Sequence, residues 1–130
     1  MNKILIIDDS LYQRRSIRKI LSQKPYEIQE ATNGREGLEM LKSYRPDCVI
    51  LDILMPDMDG LAFLAVAQKQ GETTPIIVLT ADIQETTRRE CQRLGASAIE
   101  YKPLSPLDSA KFLDIVERMI QSKGKGGASA

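Results

Sequence analysis

Three short runs, 4–7 (ILII), 48–51 (CVIL) and 76–79 (IIVL), are apolar at every position and rich in β-branched residues. A strand with one wet face alternates polar and apolar residues. Unbroken runs of this length therefore predict strands of a parallel sheet covered on both faces. The stretch 26–31 (YEIQEA) does alternate, as an edge strand does, and 98–101 (AIEY) is a fifth, weaker strand. Between the strands the apolar period lengthens to that of a helix. Ser10 is a good N-cap for a first helix, in which Leu11, Ile17, Ile20 and Leu21 form an apolar face and Arg14, Arg15, Arg18 and Lys19 surround it. Asn33, with Glu36 three positions later, has the pattern of a capping box and opens a second helix carrying Leu38 and Leu41. A third helix is expected over 61–69. A fourth spans 84–94, with Gly95 where a C′ glycine belongs. The fifth opens with Ser105 as N-cap and Pro106 at the first helical position. Its apolar positions fall in two stripes, Leu113, Val116 and Ile120, and Phe112, Ile115 and Met119, the second read as wide core packing rather than a partner surface. Strand and helix thus alternate five times, a (βα)5 α/β pattern that predicts a parallel sheet with helices on both faces.

Composition narrows the function classes. At 130 residues the chain is long enough for one domain with its own core, placed at 1–122, with a flexible tail or linker remnant at 123–130. A formal net charge of zero argues against direct binding to nucleic acid or an anionic membrane. The two cysteines, Cys48 and Cys91, sit inside apolar patterns and read as reduced core residues. The absence of histidine removes Ser-His and Cys-His catalysis and most zinc sites. No apolar run approaches the roughly 18–20 residues of a membrane span, and no signal peptide is evident, so a cytoplasmic location is expected.

Polar residues with chemistry cluster at strand ends. Asp8 and Asp9 follow strand one, Asp52 ends strand three, Thr80 ends strand four and Lys102 follows strand five. In an open parallel sheet these ends meet along one rim, where ligands bind. Capping accounts for one of the adjacent aspartates but not two, because Ser10 already serves. The basic residues of helix one adjoin this rim, as a solvated face or as a docking surface.

The segments IIDDS (6–10), EATNGREGLEML (30–41), VILDILMPDMDG (49–60), IIVLTA (76–81) and YKP (101–103) resemble, in this order and at these spacings, the receiver domain of two-component response regulators. The resemblance implies a flavodoxin-like doubly wound sheet of strand order 2-1-3-4-5. Asp9 and Asp52 would then be neighbours across one strand spacing, about 4.8 Å, while Lys102 would lie about 10 Å from Asp52, a gap only a long side chain closes. It also implies that Asp52 is the phosphoacceptor, assisted by Thr80 and Lys102. Asp8, Asp9, Asp52 and the backbone carbonyl of Leu54 would hold Mg2+ (or Mn2+), a hard cation that suits carboxylates and shares phosphate oxygens. The donor would be a phosphohistidine on a sensor histidine kinase or a histidine phosphotransfer protein. The output would be altered affinity for a downstream protein target, by a monomer or weak dimer that turns over no separate substrate. Family members often have a cis peptide before the proline that follows the lysine. Leu54 and Asp82, flanking the site, are expected to tune the lifetime of the phosphoryl group.

One departure stands out: the family usually carries Tyr or Phe three residues before the lysine, and here that position is Ile99. Output is therefore expected to rely on helix one or the strand-end loops more than on the usual face of helix four, strand five and helix five. Two other readings stand beside this one: a receiver-like scaffold that is never phosphorylated, and a haloacid-dehalogenase-like phosphatase. The second fits poorly, because DDS does not match D-x-D-x-[TV]. Neither GxGxxG nor a P-loop is present. The chain closes soon after its lysine–proline pair, as a stand-alone regulator or an excised receiver would.

Overall fold

The computed structural model describes the backbone of residues 1–129 and the side chains of residues 1–122. The tail expected over 123–130 lies outside the residues described in full. The alternation holds along the chain: β1 (Lys3–Ile7), α1 (Leu11–Leu21), β2 (Glu27–Ala31), α2 (Gly34–Ser43), β3 (Cys48–Leu51), α3 (Gly60–Lys69), β4 (Ile76–Thr80), α4 (Glu85–Arg93), β5 (Ala98–Tyr101) and α5 (Pro106–Ser129). The strands form one parallel sheet in the order β2-β1-β3-β4-β5, the flavodoxin-like arrangement. Among the described residues, no helix is long and apolar enough to cross a membrane.

Successive side chains of a strand point to opposite faces, and the fully apolar strands fill both. Leu5, Ile7, Val49, Leu51 and Val78 pack with Phe63, Leu64 and Cys91 on the side of α3 and α4. Ile4, Ile6, Ile50, Ile77 and Leu79 pack with Ile17, Leu21, Phe112 and Val116 on the side of α1 and α5. Phe112 is buried, and Ile115 and Met119 lie partly buried against the same cluster, as the core reading of that stripe required. Cys48 and Cys91 are buried, and no disulfide joins them.

The caps are local chemistry. Ser10 Oγ accepts the Gln13 N–H and Asn33 Oδ1 the Glu36 N–H. Glu36 reaches back to the N–H of Thr32, one residue before the position a standard capping box uses. Ser105 and Asp108 cap α5 reciprocally. Gln84 gives α4 no side-chain cap; Asp82 Oδ1 accepts the Gln84 N–H instead. Gly95 closes α4 at φ 90°, a left-handed value glycine adopts without strain.

Helix α1 differs from its expected pattern at two positions. Leu11 is 52% exposed while Ile17 is 3%, so the apolar face does not extend to Leu11. Arg14, expected on the solvated remainder, is 8% exposed.

Candidate functional site: an acidic cleft at the carboxyl rim

The sheet ladder runs one residue past β1, β3 and β5, and that extension places the polar groups. Asp8 N–H donates to Ala31 O at 3.1 Å, Asp52 N–H to Ile7 O at 2.9 Å and Lys102 N–H to Thr80 O at 2.9 Å. With Ile7 in register with Leu51, the residues that follow them, Asp8 and Asp52, leave the sheet side by side.

Each of Asp8, Asp9 and Asp52 offers a carboxylate oxygen within 4.8 Å of the others. Asp8 and Asp52 are buried and Asp9 is exposed. Asp8 is held on both oxygens: Oδ1 accepts the Ser10 N–H at 2.9 Å and Oδ2 accepts from Lys102 Nζ at 2.8 Å. Lys102, arriving from β5, lies 3.7 Å from Asp52 Oδ1 and so bridges the gap anticipated for a long side chain. Asp52 Oδ1 accepts only a long bond from the Leu54 N–H, at 3.3 Å. Burial pushes the Asp52 carboxyl up to about 6; Lys102 opposes that rise, and the neighbouring Asp8 and Asp9 add to it.

Thr80 ends β4, between the strands that carry Asp52 and Lys102, and is buried. Its Oγ1 accepts the Asp82 N–H at 3.1 Å, tying the hydroxyl to the loop that starts α4. Asp82 in turn accepts from Gln84 N–H and Thr87 Oγ1, and these bonds hold its carboxyl below the usual range. Leu54 is 57% exposed, and its backbone N–H donates to Asp52 Oδ1. The loop that follows Asp52 is closely packed: a Cβ on Gly60 would stand 2.5 Å from the Asp52 carbonyl oxygen, and one on Gly34 2.7 Å from that of Met58. The Lys102–Pro103 peptide is cis, as the resemblance implied.

Sequence reasoning missed one group at this site. Arg14 donates through a terminal guanidinium nitrogen to the Asp8 carbonyl at 2.7 Å and through Nε to Glu30 at 2.8 Å. Arg18 also pairs with Glu30, so neither arginine is the free basic surface expected of α1. The available signal was the i, i+4 spacing of the two arginines, which can converge on a single acid of the neighbouring edge strand.

A cleft of this kind can hold a divalent cation. Oxygen donors converge from two strand ends, and a buried carboxylate with raised proton affinity is relieved by a nearby positive charge. Comparison with known proteins follows the geometry. The family model described as the response regulator receiver domain matches residues 4–117. The transcriptional regulatory protein SrrA of Staphylococcus aureus is 37% identical over 121 residues, covering 93% of this chain and 50% of its own length. The chain thus spans about half the length of the SrrA sequences it matches. Among solved structures, the chemotaxis protein CheY4 of Vibrio cholerae is similar at 33% identity and TM-score 0.80, over 89% of this chain and 98% of that one. A CheY-like receiver domain protein from Methanospirillum hungatei JF-1 is similar at 25% identity and TM-score 0.87, over 97% and 98% of the two chains. With sheet order, acidic cleft and family model in agreement, this chain belongs to the response regulator receiver domains of two-component signalling.

Proposed function

We propose that the domain accepts a phosphoryl group on Asp52 in a Mg2+-dependent reaction and thereby changes its affinity for a protein target. The observation that carries this reading is the convergence of three carboxylates within 4.8 Å, with Lys102 closed against two of them. Asp9 and Asp52 would ligate the ion directly, Asp8 through water, and the Leu54 carbonyl would add a further oxygen. Bound there, Mg2+ (or Mn2+) would cancel carboxylate charge and so lower the barrier to the approach of a second anion.

The remaining work falls to the chain's own side chains. An Asp52 oxygen attacks phosphorus, forming a P–O bond as the bond to the donor's imidazole nitrogen breaks. Lys102 is placed to neutralise the transferring group, and the Thr80 hydroxyl can donate to one of its oxygens. The donor is a sensor histidine kinase or histidine phosphotransfer protein, since this chain has no histidine to phosphorylate. The target is a downstream protein and the setting cytoplasmic. No turnover of a separate substrate is expected, as befits a signalling domain.

Intact-mass measurement after incubation with an acyl phosphate and Mg2+ tests the reading. One phosphoryl adduct is expected, absent without metal and absent in Asp52→Ala. A stable adduct on Asp52→Ala would place the nucleophile elsewhere, and no adduct on the wild type would favour the scaffold reading.

A further inference from the structure

Arg14 is a buried cation in the second turn of α1, and nothing in the phosphoryl-transfer scheme uses it. It is the cationic side chain that reaches a backbone atom of the acidic cleft: the guanidinium donates to the Asp8 carbonyl at 2.7 Å, in a buried contact. Its Nε is turned the other way, to Glu30 on the edge strand. Glu30 is itself fixed by Arg18, whose guanidinium also donates to the Ile28 carbonyl at 3.3 Å. Burial alone would push the Glu30 carboxyl up, yet hydrogen bonds from Arg18 and Arg14 outweigh it and hold the group ionised. The result is a charge-paired brace from β2 through α1 to the turn between β1 and α1.

That turn carries both Asp8 and Asp9. With its carbonyl on Arg14, its N–H on Ala31, Oδ1 on the Ser10 N–H and Oδ2 on Lys102, Asp8 is tied at every polar atom. Of those four ties, the one to Arg14 acts on the carbonyl of the peptide that joins Asp8 to Asp9. We infer that Arg14 is a positioning residue for the cation and phosphoacceptor site, setting the orientation of Asp8 and Asp9 by its grip on the Asp8 carbonyl. The inference rests on the reading of the cleft as a Mg2+ site. Arginine suits the role because its planar fork serves two acceptors in different directions, whereas an ammonium on a flexible stem serves them as a point charge. The partner that orients a ligand-bearing segment generally matters to metal affinity even though it never meets the metal.

The test is Mg2+ titration of the unphosphorylated protein followed by backbone amide NMR, together with hydrogen exchange at the Ser10 amide in metal-free buffer. Arg14→Met is expected to weaken Mg2+ binding by about tenfold and to speed exchange at Ser10, whose N–H reports the orientation of the Asp8 carboxylate. Arg18→Met removes an equal charge from the same network but leaves the Asp8 carbonyl bond, and should stay close to the wild type in both readouts. Equal losses in the two variants would reduce Arg14 to a contributor of charge and overturn the inference, as would wild-type behaviour of Arg14→Met. If Arg14→Met does not fold, Arg14→Lys carries the same comparison and is expected to fall on the weakened side of Arg18→Met. Failure of the wild type to bind Mg2+ would instead sink the reading of the cleft, and the Ser10 exchange rate would still decide the role of Arg14.

Discussion

At the scale of single residues, Asp52 shows what it costs a fold to bury a carboxylate among other acids. The side chain is 7% exposed, receives one long hydrogen bond, and has two other acids for neighbours. Its carboxyl is pushed up to about 6 from an ordinary value of 3.8. A carboxyl whose folded-state pKa lies above its unfolded value favours the fold when protonated and opposes it when ionised. The destabilisation is therefore absent below about pH 4, grows as pH rises through 6, and is full above it. Asp52→Asn, which removes the charge at constant shape, is expected to stabilise the metal-free protein at pH 8 by up to about 3 kcal/mol. The gain should shrink towards zero as pH falls to 4. Thermal melts of both proteins in chelator across that range measure it; a constant difference with pH would show that ionisation of Asp52 is not the cause. Lys102 counters part of the strain but is committed more closely to Asp8, at 2.8 Å against 3.7 Å.

At the scale of elements, the strands and helices were readable because each declares itself over a few consecutive residues. Unbroken β-branched runs, Ser10, Asn33, Ser105 and Gly95 are local signals, and local forces dominate where both faces of a strand are to be buried. The strand-end residues Asp8, Asp9, Asp52, Thr80 and Lys102 were readable for a related reason: in a parallel sheet, the position after a strand fixes the rim on which a residue stands. Arg14 was harder to read: its spacing from Ile17 and Leu21 does place it on the buried face of α1, but its partner Glu30 lies sixteen residues away on another element. Leu11 misled in the opposite sense: an apolar residue at helical spacing is exposed there, while the basic Arg14 takes the buried position. The joint between β3 and α3 carries its own consequence. A methyl group at Gly60 would meet the Asp52 carbonyl oxygen at 2.5 Å and the Ile53 Cα at 2.7 Å, backbone atoms with little freedom to yield. Gly60→Ala is expected to cost about 1–3 kcal/mol in urea unfolding and to slow adduct formation by displacing the Asp52 backbone. An adduct formed at the wild-type rate would show that the joint absorbs the change without moving Asp52, the proposed phosphoacceptor.

At the scale of the whole molecule, the question is how a charge added at one rim reaches a partner. Thr80 Oγ1 holds the Asp82 N–H, and Asp82 holds the start of α4, so a Thr80 hydroxyl drawn to a phosphoryl group would loosen that loop. Where a family member usually has an aromatic switch, Ile99 instead packs partly buried against the core, and Tyr101 stands 38% exposed two residues on. We expect the spectra of the protein with and without a phosphoryl mimic to differ most along α1 and the strand-end loops. Large shifts confined to α4, β5 and α5 would return the output to its usual face. The opposite rim is free of these demands. Gly71, in the turn between α3 and β4, holds a left-handed φ of 71° that suits glycine, but nothing lies within 4 Å of where a Cβ would sit, so there is room beside it for an insertion that keeps it. Thr80 is the last of the five residues of β4, which puts about 13 Å of strand between it and the start of that strand. Foreign sequence grafted there, whether a fluorophore, an affinity handle or a second domain, would leave the acidic rim chemically undisturbed, and so the fold comes with an attachment point as distant from its chemistry as the sheet allows.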